Sequence, residues 1–325
     1  QAAQADWDTL EARYPGRIYA LEHRTFSDSP IENALLLVRA LPQGARVDLV
    51  THSRGGLVGD LLAADWSNEG QTGSLIDNYR RLVHGDEPET AESLADLAAA
   101  DERDRGDLRA LVAELRQRRI TVGRYVRVAA PAGGTRLVGA NLDLFLSGLL
   151  ALFGMIPLLQ GSLAYQALRR ITLEIARNRL DAHQVPGIEP MRPGSALACL
   201  LRRATPQAGL QLGVIGGNAD VQHGLGLRRL VAFLADWALH ERQDNDLVVD
   251  TASMSAGLGG GAAGGQLLLD GAEDGLPVDH FHYFLLGRSR RALVDWLTAA
   301  NPADLTSFER LSRDITPMLP RSALA

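Results

Sequence analysis

The stretch VDLVTHSRGGLVGDLL, from Val47 to Leu62, contains one serine between an apolar run and a helix-like pattern. The residues before Ser53 favour a buried strand, and the apolar residues after it recur at helical spacing. A serine between a strand and a helix is typical of a catalytic nucleophile on a sharp, strained turn. A serine that caps the following helix gives the same pattern. The five residues from Thr51 to Gly55 leave both interpretations open.

The stretch follows the nucleophile pattern G-x-S-x-G only in part. Small residues are needed in that pattern because the strand and the helix approach each other closely. Thr51 stands where the first glycine is expected, whereas Gly55 and Gly56 follow the serine. Aliphatic residues directly precede Ser53, and a helical pattern directly follows it. Both features still favour the nucleophile hypothesis.

Strand and helix patterns alternate on both sides of this stretch. Ser29 and Glu32 have the spacing of a capping box, with Pro30 at the first helical position. Short connections between strands and helices predict an α/β fold with a mostly parallel sheet flanked by helices, in a single domain over residues 1–325. The predicted strands are Arg17–Glu22, Arg46–Thr51, Arg124–Ala130 and Leu210–Gly216.

Two segments depart from this alternation. Residues 67–120 are rich in charge and alanine, which predicts a solvated helical excursion outside the sheet. Residues 137–205 form the second predicted excursion and include an uncharged run from Leu144 to Leu159. That run is shorter than the roughly 20 apolar residues that a membrane span needs. It predicts an apolar lid insertion over the site, and plain core packing remains the alternative.

The composition limits the classes of partner and site. The chain has 325 residues, is 46% hydrophobic and carries a net charge of −6, which argues against a nucleic-acid partner. The single cysteine, Cys199, excludes an intramolecular disulfide framework and is compatible with a cytoplasmic location. We expect no cofactor, because the glycine-rich run Gly257–Gln266 lacks the features of nucleotide-binding loops. We expect no metal, because the aspartates between Asp244 and Asp250 lack EF-hand spacing.

A nucleophilic serine needs a histidine base and a carboxylate that orients the base. The segments DNDLVVDTASM and DHFHYF supply both groups downstream of Ser53, in the order Ser, Asp, His. The candidate bases are His280 and His282. The candidate acids are Asp246, Asp244, Asp250 and Asp220.

These segments together resemble an α/β-hydrolase of the lipase and esterase type over most of the chain. LVTHSRGGLV resembles the nucleophile turn, VAAPAGGT the turn after the next core strand, NDLVVDTASM the acid loop, and DHFHYF the terminal H-x-x-Y-F segment. The resemblance implies that Ser53 is the nucleophile, Asp246 the acid and His280 the base. Asp250, Asp220 and His282 are the alternates.

The resemblance also implies an oxyanion hole with two donors. The backbone N–H of Arg54, directly after the nucleophile, matches the first donor. The second donor commonly comes from an HG-containing loop after an earlier strand, and no such loop precedes Asp6 in this sequence. We therefore expect the second donor, together with the N-terminal strands of the sheet, to lie upstream of Gln1.

The implied function is hydrolysis of carboxylic esters through an acyl-enzyme. The expected substrate is a small-molecule or lipid-like ester with a hydrophobic acyl group, and the apolar lid predicts transient contact with a membrane surface without a transmembrane segment. Two alternatives stay open. The same catalytic groups serve amidases and peptidases, and the chain could be a non-catalytic binding module of a larger protein.

Overall fold

The computed structural model describes residues 2–82, 91–140, 185–219, 244–261, 264–271 and 278–310, together with Leu142, Leu146, Leu150, Gln166, Arg169, Arg170 and Leu173. Asp220 and most of the apolar run Leu144–Leu159 lie outside the described residues.

Four adjacent parallel strands form the sheet, in the order β1-β2-β3-β4. A short fifth strand pairs antiparallel with β4. This arrangement confirms the predicted α/β class with a mostly parallel sheet. Because the four long strands are parallel, their carboxyl ends lie along one edge of the sheet. The strands are β1 (Arg46–His52), β2 (Thr121–Val128), β3 (Gln211–Asn218), β4 (Gly265–Asp270) and β5 (Glu309–Arg310).

Helices precede and follow the strands. Among the described residues, no helix is both long enough and apolar enough to cross a membrane. The α-helices are α1 (Ala2–Arg13), α2 (Pro30–Ala40), α3 (Gly55–Ala63), α4 (Glu69–Asp77), α5 (Ala91–Arg118), α6 (Arg136–Ala140), α7 (Ala196–Arg203), α8 (Thr251–Ser255) and α9 (Gly287–Thr298). Short 3₁₀ helices span Tyr79–Leu82, Glu189–Met191, Leu258–Gly261, Tyr283–Leu285 and Pro302–Asp304.

Helices cover both faces of the sheet, as the side chains of β2 demonstrate. Successive side chains of a strand point to opposite faces. Tyr125 donates a hydrogen bond to the Gly56 carbonyl in α3, whereas the neighbouring Arg124 donates to the Trp296 carbonyl in α9. The sheet is therefore buried between α3 on one side and α9 on the other, as a parallel sheet requires.

The start of α2 follows the predicted capping box. Ser29 Oγ accepts a hydrogen bond from the Glu32 backbone N–H (3.2 Å), and the Glu32 carboxylate accepts one from the Ser29 backbone N–H (2.6 Å). Ile31, Leu35 and Val38 lie on the buried face of this helix. The local sequence therefore fixes where the helix begins and which face it buries.

Helix α5 lies within the segment predicted as a solvated excursion, and its C-terminal half packs into the core. Leu108, Leu111 and Leu115 are buried, and α5 packs against α2. Glu114 also forms ion pairs with Arg39 of α2 and with Arg118. This half of α5 is a layer of the fold, and charged residues such as Arg109 and Arg116 lie on its solvent side.

Two strand predictions differ from the structure. Arg17–Glu22 is not a strand, and Tyr19 within it is 85% exposed. Apolar composition alone does not make a strand, because a strand also needs a paired neighbour. Conversely, β4 begins at Gly265, inside the glycine-rich run Gly257–Gln266, where no strand was predicted. Its buried residues alternate with exposed ones, but the run of three leucines hides that alternation in the sequence.

Candidate active site

Ser53 lies on the turn between β1 and α3, at the carboxyl edge of the sheet. Its φ is +54°, a left-handed conformation that non-glycine residues adopt rarely. The Ser53 backbone N–H donates to the Val128 carbonyl of β2 over 3.0 Å, which ties the turn to the sheet. No side chain caps the start of α3. The interpretation of Ser53 as a helix cap is therefore wrong.

Glycines of α3 explain why the turn can contain Thr51 where the pattern has a glycine. A Cβ at Gly56 would lie 2.3 Å from the Ala130 Cβ, so the helix and the sheet approach too closely for any side chain there. A Cβ at Gly59 would lie 2.4 Å from the Tyr125 hydroxyl and 3.0 Å from Thr51 Cγ2. Gly59 thus provides the space that Thr51 occupies, and the Thr51 hydroxyl donates to the Tyr125 oxygen over 3.2 Å.

The structure brings together Ser53, His280 and Asp246. His280 Nε2 lies 2.8 Å from Ser53 Oγ, and His280 Nδ1 lies 2.9 Å from Asp246 Oδ2. An ionised carboxylate only accepts hydrogen bonds, so Nδ1–H donates to Asp246 and Nε2 accepts from the Ser53 hydroxyl. The side chains of His280 and Asp246 are 1% and 0% exposed. Three residues predicted from separate segments therefore form one continuous hydrogen-bonded chain.

A tight loop after β3 holds the carboxylate of Asp246. Asp246 Oδ1 accepts the backbone N–H groups of Val248 (3.1 Å) and Val249 (2.8 Å), and Oδ2 accepts the Tyr283 hydroxyl (3.1 Å). The His280 backbone N–H donates to the Asp246 carbonyl over 3.1 Å. The acid and the base are thus joined by both side-chain and main-chain bonds.

The VAAPAGGT turn after β2 clamps this acid loop. Thr135 Oγ1 donates to the Val248 carbonyl over 2.7 Å. The Gly133 backbone N–H donates to Ser253 Oγ over 3.0 Å, and that hydroxyl donates in turn to the Gly134 carbonyl. Sequence reasoning gave these small and hydroxyl-bearing residues no role. They hold the acid loop against the end of the neighbouring strand.

The alternates occupy other positions. Asp250 precedes α8 and accepts the Arg136 backbone N–H over 3.3 Å, and burial raises the pKa of its carboxyl. His282 pairs with Asp279 over 2.6 Å and is 28% exposed. Each alternate therefore has its own local partner outside the Ser53–His280–Asp246 chain. Asp220 cannot be placed, because it lies outside the described residues.

His52, directly before Ser53, contacts the base from below the turn. Its Nε2–H donates to the His280 carbonyl over 2.7 Å, and the two ring centroids are 4.9 Å apart. Burial, together with the nearby His280, lowers the pKa of His52 to about 4. His52 is therefore neutral near pH 7, and its hydrogen bond positions the backbone of His280.

The Arg54 side chain is buried and ties together two loops. Its Nε donates to the Gly187 carbonyl over 2.7 Å and its Nη2 donates to the Asp28 carbonyl. Burial lowers the pKa of Arg54 to about 10. The backbone N–H of Arg54 stands at the start of α3 and donates no hydrogen bond within the described residues. No described residue thus occupies this N–H, which stands next to Ser53 and can donate to an anionic oxygen.

A buried ion pair lies beneath the turn, between α3 and β2. Arg127 Nη1 and Asp60 Oδ2 are 2.6 Å apart, and both side chains are 0% exposed. Arg127 Nη2 also donates to the carbonyls of Met254 (3.2 Å) and Ala256. Burial raises the pKa of Asp60, and the Arg127 guanidinium opposes that rise. Sequence reasoning missed this pair, although an arginine within the apolar strand YVRV was a signal for it.

Within the part of the chain that the structure describes, no group of three or more His, Cys, Asp or Glu side chains is arranged to hold a metal ion.

The comparisons with known proteins identify a protein family. A search among curated proteins finds no match. A family described as "Domain of unknown function (DUF7379)" matches residues 2–102 and 105–298, which include Ser53, Asp246 and His280. The chain therefore belongs to the DUF7379 family.

Proposed function

We propose that this chain is a serine hydrolase that cleaves carboxylic esters through an acyl-enzyme. The observation that carries the proposal is the chain of hydrogen bonds from Ser53 Oγ through His280 to Asp246, over 2.8 and 2.9 Å. A serine hydroxyl is a weak nucleophile on its own, and a histidine at hydrogen-bond distance makes it reactive. A buried carboxylate on the far nitrogen selects the required histidine tautomer.

The first half of the reaction forms the acyl-enzyme. Ser53 Oγ attacks the ester carbonyl carbon as its proton passes to His280 Nε2, and the carbonyl π electrons move to the oxygen. Asp246 stays ionised and stabilises the imidazolium through Nδ1–H. When the tetrahedral intermediate collapses, the C–O bond to the leaving alcohol breaks, and that alcohol takes the proton from His280.

The second half returns the enzyme to its starting state. Water replaces the alcohol and gives one proton to His280 Nε2 as its oxygen attacks the acyl carbon. Collapse of the second tetrahedral intermediate breaks the bond to Ser53 Oγ, which takes back the proton and releases the carboxylic acid. The Arg54 backbone N–H is the donor that this chain offers to the oxyanion in both halves.

The positions of the three groups support an α/β-hydrolase type of fold for this activity. Ser53 follows β1, Asp246 comes after β3, and His280 comes after β4. The strands are parallel, so all three groups meet at the carboxyl edge of the sheet, where ligands bind in open α/β folds.

Covalent labelling tests the proposal most directly. A fluorophosphonate probe reacts with activated serines, so we expect it to label the wild-type chain and not Ser53→Ala. Ser67→Ala, which changes an exposed serine away from the turn, is the matched control and should label normally. Failure of the folded wild-type protein to label would contradict the hydrolase proposal and favour a non-catalytic binding module.

A substrate panel then separates esterase from amidase activity. We expect nitrophenyl esters to be hydrolysed faster than the matched anilides, because nitrophenolate is a weak base that leaves without a proton, whereas the aniline nitrogen must be protonated to leave. A series of acyl chain lengths measures the preference for hydrophobic acyl groups that the apolar run Leu144–Leu159 predicts. Faster cleavage of the anilides would replace the esterase assignment with an amidase.

A further inference from the structure

Tyr283 contacts the same carboxylate oxygen as the base. Its hydroxyl donates to Asp246 Oδ2 over 3.1 Å, and His280 Nδ1–H donates to that oxygen over 2.9 Å. Tyr283 is 0% exposed, so bulk water does not compete for either bond. Two donors therefore share one carboxylate oxygen within the candidate active site.

The fold leaves a space for this hydroxyl. A Cβ at Gly217, near the end of β3, would lie 2.9 Å from the Tyr283 oxygen and 2.5 Å from Val278 Cγ1. Any larger residue at 217 would push the phenol away from Asp246 or displace Val278. Burial, together with the charge of Asp246, raises the pKa of Tyr283 well above its ordinary value. The phenol therefore keeps its proton and remains a donor at neutral pH.

We propose that Tyr283 is a positioning residue that fixes the orientation of Asp246 and draws part of its negative charge away from His280. The inference rests on the proposed function, which gives Asp246 and His280 their roles in proton transfer. A carboxylate that accepts an additional hydrogen bond is a weaker acceptor for its other donors. Tyr283 thus sets how strongly Asp246 binds the imidazolium that forms when Ser53 attacks.

Tyr283→Phe tests this role because it removes the hydroxyl and keeps the ring. Without the phenol, Asp246 Oδ2 becomes a stronger acceptor, so we expect the proton resonance of His280 Nδ1–H to move downfield in the NMR spectrum. We also expect the low-pH limb of the fluorophosphonate labelling rate to move to higher pH. Loss of the orienting bond should slow labelling at neutral pH by about tenfold.

Tyr79→Phe is the matched control. Tyr79 is also buried, at 2% exposed, and its hydroxyl also donates to a carboxylate, Asp104 Oδ2, over 3.2 Å. It lies in a different 3₁₀ helix and contacts none of the three active-site side chains through a described hydrogen bond. We expect this variant to lose thermal stability comparably while the His280 resonance and the labelling pH profile stay as in wild type.

The two proposals fail separately. If Tyr283→Phe lowers only the thermal stability and changes neither the His280 resonance nor the pH profile, Tyr283 merely packs and the positioning role is overturned. If the resonance moves but the wild-type chain does not react with the fluorophosphonate, the coupling of Tyr283 to His280 stands and the hydrolase proposal falls.

Discussion

Two fully buried pairs, each with one carboxylate, lie near the turn that carries Ser53, and they differ in how their polar atoms are satisfied. In the Asp246–His280 pair, both carboxylate oxygens accept hydrogen bonds and the far nitrogen of the histidine reaches a serine hydroxyl. In the Asp60–Arg127 pair, Asp60 Oδ1 and Arg127 Nε have no hydrogen-bond partner among the described residues.

The difference separates a pair suited to move a proton from a pair suited to hold a structure. An arginine does not give up its proton in proteins, so Arg127 can only be a fixed charge. It binds the carbonyls of Met254 and Ala256 and so anchors the segment between α8 and β4. Histidine can gain and lose a proton near neutral pH, and His280 contacts the Ser53 hydroxyl. Parallel substitutions in the two pairs test this distinction.

Asp246→Asn has the largest expected effect, and the effect is on catalysis. The amide favours the wrong histidine tautomer and cannot stabilise an imidazolium, so we expect kcat for ester hydrolysis to fall about 10⁴-fold. That loss corresponds to about 5.5 kcal/mol of transition-state stabilisation. Ester kinetics measured beside a urea titration distinguish this loss from unfolding. A variant that retained most of its kcat would contradict the role of Asp246.

Asp60→Asn is the parallel change in the second pair, and its effect should be on stability. It leaves the charge of Arg127 buried without a counter-ion, which costs about 3–5 kcal/mol of the free energy of unfolding. Urea titration gives this quantity, and the folded fraction should still react with the fluorophosphonate. The double variant Asp60→Leu, Arg127→Met removes both charges and should recover most of the loss. A double variant no more stable than Asp60→Asn would show that the unpaired charge of Arg127 does not cause the loss of stability.

Gly59→Ala tests the close approach of α3 to Tyr125 and Thr51 and should have an intermediate effect. Its Cβ would lie 2.4 Å from the Tyr125 hydroxyl, so we expect a loss of about 1–3 kcal/mol from overpacking. Gly73→Ala in α4 is the control, because its Cβ would meet nothing within 4 Å. There, alanine should stabilise the chain by about 0.5–1 kcal/mol. Equal effects in both variants would refute the steric account of Thr51.

His52 gives the smallest predicted effect, as a dependence of stability on pH. Its pKa is about 4 in the folded chain against an ordinary value of 6.5, so the unfolded chain binds the proton first as pH falls. Stability from this group is complete above pH 6.5 and is lost between 6.5 and about 4.

The variant His52→Gln should flatten that part of the stability curve, measured by urea titration across the same window. Comparing variant with wild type separates His52 from Asp104 and Glu189. Burial raises the pKa of each of these carboxyls to about 7, so their contribution is lost as pH rises and has the opposite sign. An unchanged slope in His52→Gln would contradict the neutral state assigned to His52.

The three residues that meet in the candidate site could be named from the sequence because their signals are local. Ser53 stands between an aliphatic strand and an amphipathic helix, and each of the other two groups lies in a short polar segment after an apolar run. Their meeting also required the strands to be parallel, which the short alternating elements predicted. The departure at Thr51 could not be explained from the turn alone, because the compensating Gly59 lies one helical turn beyond Gly55.

Contacts between distant segments could not be predicted in the same way. Arg127 and Asp60 are 67 positions apart, and Tyr283 reaches Asp246 across 37 positions. The residues next to Arg127 or Tyr283 in the sequence do not indicate these partners, because the contacts form only when distant segments pack together. The same reason applies to Arg17–Glu22, whose apolar residues suit a strand but find no strand partner among the described residues.

The separation between Ser53 and its base has a consequence for how the protein is made. The two residues are 227 positions apart, so Ser53 leaves the ribosome long before His280 is synthesised. Ser53 Oγ lacks its histidine partner until the segment from His280 to Leu285 has been made and has folded against the turn. Under the proposed function, Ser53 therefore becomes reactive only after synthesis has passed Leu285 and this segment has folded against Ser53.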